Sequence, residues 1–330
     1  MFKSLVVANM SSDAPTIREY LQAKPLGSRM VHELCELHGI DLDSPWPPDF
    51  PKDSADQVNL PALRSLWPES HRAGPNAIFR SALFPSLNFK EGRSFLKREA
   101  IYSVGGITVL FTGERFDQSD LDVYLELLHL AVAHPLGTEI TFSAHSLLKA
   151  LGRDTGQSQH LWLHEVLIRL RSGTVEMTDH RVEYSGGLID GWFRDTLTKF
   201  YTISINPKFA AFFKQGLWSK IDNGQRQSLG RSMTAKALHA YYSTHAAPGQ
   251  HNLDTLADIA GLKAKTKRNR NATIVKAHGI LKTAGFLIDF QVTGDSIKVE
   301  LKPSASQLRH LVKKVARSRV PPNGRKKGTA

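Results

Sequence analysis

The chain has 330 residues, of which 41% are hydrophobic and 22% charged, enough for two ordinary domains with real cores. Its single cysteine, Cys35, excludes an intrachain disulfide and any zinc site built on thiolates, and fits a reducing compartment. The formal charge is +12, and it is lopsided. Residues 1–75 hold ten acids against seven Lys/Arg, whereas 301–330 hold nine Lys/Arg and no acid. A polyanionic partner is therefore expected, nucleic acid ahead of an anionic membrane. The apolar run in "MFKSLVVANMSS" is too short for a secretory signal, and none reaches the roughly 18 residues of a membrane span. The expected location is the cytoplasm.

The first 75 residues read as a partly disordered N-terminal arm. "LGSRMVHELCELHGI" spaces Val31, Leu34, Cys35 and Leu37 for one face of a short helix. "DLDSPWPPDFPKDS" then sets Pro45, Pro47, Pro48 and Pro51 in an acidic stretch that neither a helix nor a central strand tolerates.

Residues 76–216 read as a first globular domain. "FDQSDLDVYLELLHLAVAHPLG" places Leu121, Tyr124, Leu125, Leu128 and Val132 at helical spacing before a Pro-Leu-Gly stop. "EITFSAHSLLKALG" predicts a strand, Ser143 as N-cap, a short helix and Gly152 just past its end. In "GQSQHLWLHEVLIRLRSG", Leu163, Val166, Leu167 and Leu170 make one stripe of a third helix. The runs "TVEMT", "RVEYSGGLIDGWFRDT" and "KFYTISINP" come next as strands.

The same order recurs over 217–302. "SMTAKALHAYYSTHA" predicts a helix. "NLDTLADIAGL" predicts a short helix with Asp254 as N-cap and Gly261 as stop. "RNATIVKAHGILKTAG" predicts a third helix closed by Gly285. "FLIDFQV" and "SIKVELK" form a hairpin turning at Gly294-Asp295. The fold class is therefore α+β: two tandem winged helix–turn–helix domains, a partly disordered arm before them and a basic tail, 303–330, after them.

The third helix of the second unit carries the candidate site. Its core face is Ile274, Ala277, Leu281 and Ala284, whereas the opposite face (Arg268, Ala272, Lys276, Gly279, Thr283) is small or basic and free of acid. Small side chains let a helix backbone approach the floor of a major groove. Arg268, Asn269, Arg270 and Asn271 are candidates for base edges, with Lys276 beside them. Lys263, Lys265, Lys267 and Lys298 are candidates for phosphates. A solvated charged turn before an ordinary surface helix is the plain alternative; the helix–turn–helix order, the hairpin and the acid-free tail favour double-stranded DNA. The first unit differs. Leu161, Glu165 and Ile168, with His164 beside them, lie opposite its core stripe. Glutamate repels phosphate and exposed Leu and Ile favour protein, so weak DNA contact and a face for another subunit or domain are expected.

No catalytic constellation emerges, and no cofactor or metal site is expected. His160 and His164 are spaced i, i+4, but "HLWLHE" is not HExxH, because the glutamate follows the second histidine. "GQRQSLGRS" departs from a phosphate-binding loop in its spacing and has Arg where Lys belongs; Ser232 reads as a helix cap. No paired carboxylates sit in a metal-friendly setting.

One stretch has no role in this scheme. "RAGPNAIFRSALFPSLNF" (72–89) resembles the entry signature of plasmid replication initiators of the TrfA type, through Pro75, Asn76, Ala77, Ile78, Phe79, Arg80, Ser81, Ala82, Leu83 and Phe84. "GITVLFTGERFDQSDLDVYLELLHLA" and "PLGTEITFSAHSLLKALG" continue the resemblance, which covers about 72–215 and fades over 230–302. It implies a tandem winged-helix initiator that binds iterons at a plasmid origin, melts adjacent A·T-rich DNA and recruits the host initiator and replicative helicase. It also implies a monomer–homodimer equilibrium and repression of its own gene. A sliding-clamp contact through a Gln-x-x-Leu peptide is implied as well, and Gln57 and Leu60 in "DQVNLPAL" supply that pattern. Three rivals to the initiator are a repressor of the same fold, a DNA-processing enzyme and a DNA-coating partitioning protein.

Overall fold

The computed structural model describes residues 41, 43, 68–87, 92–132, 139–180, 182–214, 217–301 and 307. The expected helix over "LGSRMVHELCELHGI", the Gln57/Leu60 peptide and, apart from Gln307, the basic tail lie outside them. All the described residues except Asp41 and Asp43 belong to one compact unit, which runs from Val58 onward. Among the described residues no helix is long and apolar enough to cross a membrane.

The unit opens with a short strand, β1 (His71–Pro75), and one helical turn, α1 (Asn76–Phe79). β2 (Phe95–Ile101) and β3 (Thr108–Glu114) form an antiparallel pair. α2 (Gln118–Ala131) comes next with a complete capping box: the Asp117 carboxylate accepts from the backbone N–H of Ser119 and Asp120, and Asp120 accepts from that of Asp117. β4 (Glu139–Ser143) leads into α3 (Ala144–Ala150), where Ser143 Oγ accepts from Ser146 N at 3.0 Å as the sequence predicted. α4 (Gln157–Ser172) buries the expected stripe Leu163, Val166, Leu167 and Leu170 completely.

Next come β5 (Thr174–Asp179), β6 (Val182–Gly186), β7 (Ile189–Arg194) and β8 (Phe200–Ile205). They divide between two antiparallel sheets. One has the order β2-β3-β5-β6 and the other β4-β8-β7. A short helix, α5 (Ala210–Lys214), leads to β9 (Trp218–Asp222), α6 (Asn223–Ser228) and α7 (Met233–Ser243). β10 (Gln250–Asn252), α8 (Leu253–Ile259), α9 (Lys267–Thr283), β11 (Leu287–Thr293) and β12 (Ser296–Leu301) complete the described chain. Their sheet has the order β10-β12-β11.

That last order repeats the β4-β8-β7 arrangement strand for strand. In both, the strand before the short helix pairs with the second arm of a later hairpin. The hairpin β5–β6 intervenes between α4 and β7 and joins β2 and β3 instead. Sequence reading assigned no strand to 95–101 or 108–114, so this four-stranded sheet is an addition to the expected architecture.

Two hydrophobic clusters result, one over 73–221 plus Ala240, the other over 229–301. The stretch 72–86 joins them. β1 pairs antiparallel with β9, His71 opposite Asp222 and Pro75 opposite Trp218. Residues 71–75 are therefore an ordered strand, although they fall within the expected arm, and their partner falls within the expected second domain. Asn76 N donates to Leu217 O at 2.8 Å, and Ser219 Oγ to Asn76 Oδ1 at 2.7 Å. Ile78, Phe79, Leu83 and Phe84 are buried in the first cluster. Arg80 reaches the other way: its Nε and terminal nitrogen donate to Thr244 Oγ1 and O, at 2.9 and 3.0 Å, just past α7. Ser86 N donates to Ala260 O at 2.7 Å. The run that resembles the initiator signature is thus the joint between the two clusters.

Gly261 closes the joint. Its φ is +59°, a conformation that disfavours any Cβ, and a Cβ there would lie 2.3 Å from Pro85 Cβ. Gly261→Ala is expected to cost roughly 1–3 kcal/mol through backbone strain and displaced packing. A urea midpoint unchanged from wild type would show that the joint yields without cost.

Candidate nucleic-acid interface

α9 begins where Thr266 caps it, its Oγ1 accepting from Asn269 N at 3.2 Å. Ile274 and Leu281 are fully buried, with Ala277 and His278 beside them, so the predicted core face is the packed one. Arg268, Ala272, Lys276 and Thr283 are exposed on the other side. One buried member was missed: His278. Its Nδ1 lies 2.8 Å from Ile274 O and its Nε2 2.8 Å from the Tyr242 hydroxyl. A carbonyl only accepts, so Nδ1 carries the proton and Nε2 accepts from Tyr242. Burial pushes the His278 pKa down to about 4, so the ring is neutral near pH 7.

The basic residues divide into two sets. Lys263, Lys265, Arg268, Lys276 and Lys298 are exposed, with no carboxylate partner among the described residues. The side chain of Asn269 is exposed as well.

Lys267, Arg270 and Asn271 form the second set and are occupied. Lys267 Nζ lies 2.6 Å from Asp295 at the hairpin turn and 3.8 Å from Asp254. The hydrogen bond to Lys267, first, and its charge hold the Asp295 carboxyl below the usual carboxylate range. Asn271 Nδ2 donates to Asp295 Oδ1 at 3.3 Å. Arg270 binds Asp254 on α8 through a short ion pair, with Asp258 at 3.8 Å.

Arg270 was expected to read a base; here it ties α9 to α8. Asp254 was expected to cap α8. The cap is Asn252, whose Oδ1 accepts from Asp254 N at 2.7 Å, which leaves the Asp254 carboxylate for Arg270. Sequence periodicity could not find this, because Asp254, Asp258 and Asp295 come from two other elements. The one available signal was that Asp295 sits at a Gly-Asp turn, where a short acid can face the preceding helix.

In the first unit, Leu161 is 62% and Ile168 39% exposed, and Glu165 is exposed beside them, as expected. His164 packs at 4.9 Å from the Trp192 ring, and its Nδ1 lies 3.2 Å from the Tyr201 hydroxyl. Among the described residues no group of three or more His, Cys, Asp or Glu is placed to hold a metal. "GQRQSLGRS" contributes a helical turn, α6, and the N-cap of α7: Ser232 Oγ accepts from Ala235 N at 3.4 Å.

A protein-family model described as "TrfA protein" matches residues 54–300. Among curated proteins, the plasmid replication initiator protein TrfA of Escherichia coli is 26% identical over 239 residues, covering 70% of this chain and 62% of that protein's length. Among solved structures, the Pi initiator protein in complex with iteron DNA aligns with a TM-score of 0.43 at 12% identity, over 57% of this chain and 94% of that one. Domains 2 and 3 of RctB align with a TM-score of 0.49 at 9% identity, over 70% of this chain and 99% of that one.

Proposed function

We propose a function from one premise: the chain belongs to the TrfA protein family. In this reading it is a non-enzymatic plasmid replication initiator that binds repeated double-stranded sites, iterons, at a plasmid origin. The repeated three-strand order supports two tandem winged helix–turn–helix units, each with its hairpin as wing. α9 enters the major groove. Its acid-free outer face is the observation that carries the assignment, with Arg268, Asn269 and Lys276 toward bases and nearby backbone. Lys263, Lys265 and Lys298 meet phosphate, and the basic tail adds salt-sensitive affinity.

The first unit touches DNA weakly and offers the Leu161–Ile168 face to protein. Opening of the origin, recruitment of the host initiator and helicase, a sliding-clamp contact, a monomer–homodimer equilibrium, repression of its own gene and a cytoplasmic location complete the proposal.

The two sets of basic residues make distinct predictions. Arg268→Ala is expected to weaken binding to the preferred site by roughly 1–3 kcal/mol while leaving thermal unfolding unchanged, since Arg268 has no partner among the described residues. Arg270→Ala is expected to lower the melting temperature, because it unties α8 from α9. Mobility shifts on a selected duplex and on random DNA, beside melting curves, read both. Equal loss on both DNAs for Arg268→Ala would remove it from base reading. Replication of a plasmid that carries the candidate origin and no other initiator tests the initiator assignment; binding without replication would leave a repressor.

A further inference from the structure

Beside Arg72, at the start of the joint, lies a cavity of about 330 Å³, the size of a small-ligand site. Its walls come from β1, α2, the α3–α4 turn, α4, α6, the α6–α7 turn and α7, and no residue of α9 lines it. Arg72, Arg153, Arg226, Arg231 and Lys236 face it against two carboxylates, Asp122 and Asp154. Glu126 holds Arg72 at 2.6 Å, and the two Asp122 oxygens hold Arg226 and Lys236, each at 2.6 Å.

Arg153 and Arg231 have no carboxylate within ion-pair distance among the described residues. Arg153 lies 3.7 Å over the Trp162 ring and donates Nε–H to Gln159 Oε1 at 2.9 Å. Its guanidinium is therefore held flat, and neither terminal amino group has a hydrogen-bond partner among the described residues. Burial, first, and the charge of Arg231 oppose the protonation of Arg153, and the neighbouring acids do not make up the difference.

We propose that this cavity binds a small polyphosphate anion, free or carried on a nucleotide. Two guanidinium groups that face one cavity, neither in an ion pair among the described residues, match phosphate, which accepts paired N–H bonds from planar forks. The floor argues for a ligand that enters: Arg226 is 3% exposed and Lys236 12%, so a duplex backbone can meet Arg231 at the rim but cannot reach them.

The test is thermal unfolding of the full chain with magnesium-free ATP, with tripolyphosphate, and with sodium chloride at matched ionic strength. At ligand about a hundredfold above its Kd, a rise of roughly 5 °C is expected. Arg231→Gln, which removes an exposed side chain without a partner among the described residues, is expected to weaken binding about tenfold or more, and Arg153→Gln likewise. No rise beyond the sodium chloride control would overturn the proposal, as would a rise that both variants keep. If free anions do nothing while Arg231→Gln flattens the salt dependence of DNA binding by about one phosphate, the site belongs to the duplex backbone and the proposal also falls. That last arm rests on the DNA-binding reading; the ATP arm stands without it.

Discussion

Asp122→Ala is expected to cost about 3 kcal/mol of folding stability, the low end of the range for stripping the partner from a buried charge. Asp122 on α2 holds Arg226 Nε and Lys236 Nζ at once, each at 2.6 Å. Arg226 is 3% exposed and also donates to Gln118 Oε1 at 3.0 Å and Lys236 O at 3.0 Å. Deleting the carboxylate leaves that guanidinium in the interior between the two clusters with only neutral acceptors. Asp122 itself is 20% exposed, so water recovers part of the loss. Burial opposes its ionisation, but Arg226 and Lys236 outweigh burial and hold its pKa below the usual carboxylate range. The measurement is denaturant unfolding of the single variant and of Asp122→Ala/Arg226→Met. The double variant is expected to recover more than 1 kcal/mol relative to additive losses, because both charges leave together. Additive losses would mean that the three side chains do not act as a unit.

Acidification is expected to unfold the second cluster well above the pH at which ordinary carboxylates protonate. Burial, first in each case, lowers His239 to about 3 and His251 and His278 to about 4. The structure shows why protonation is opposed. Both His239 ring nitrogens are buried without a hydrogen-bond partner among the described residues, with Phe286 edge-on at 4.4 Å. His278 Nε2, where a second proton would go, already accepts from Tyr242. A histidine whose folded pKa is depressed favours folding above its unfolded pKa of 6.5 and loses that contribution as pH falls toward the folded value. In the first cluster Asp120, raised to about 6 by burial and by Asp117, acts in the opposite sense between pH 6 and 3.8. Three protons taken up on unfolding outnumber one released, so near pH 5 stability is expected to fall by about 2–3 kcal/mol per pH unit. Urea midpoints from pH 7 to 4.5 read the slope, and His239→Phe should flatten it. A flat profile over that range would mean that these rings protonate in the folded protein.

The split among the basic residues also bears on specificity. Lys267, Arg270 and Asn271 stand against Asp254, Asp258 and Asp295. A polyanion must compete with these carboxylates for the second set, while the first set is available at once. In the proposed function this leaves Arg268 and Lys276 as the early contacts, and a fixed α8–α9 angle as what presents them.

Local chemistry was enough for the sequence to determine most helices. Ser143, Ser232 and Gly285 mark helix ends, and the 3.6-residue stripes of α4 and α9 bury the predicted residues, because caps and amphipathic faces are short-range features. The hairpin turning at Gly294-Asp295 was legible for the same reason. The basic outer face of α9 was legible too, since helical spacing alone separates Arg268 and Lys276 from Ile274 and Leu281.

Only the tertiary structure decided the rest. That β5–β6 joins β2–β3, while β7–β8 joins β4, is a choice among strand partners distant in sequence, and each strand is compatible with either sheet. The role of 72–86 is likewise non-local: Asn76, Arg80 and Ser86 find their partners at Leu217, Thr244 and Ala260. Nothing within the run encodes those distances. Which arginine is free was settled in the same way, for Arg268 and Arg270 are alike in sequence, and two residues of helical rotation place one in solvent and the other against Asp254.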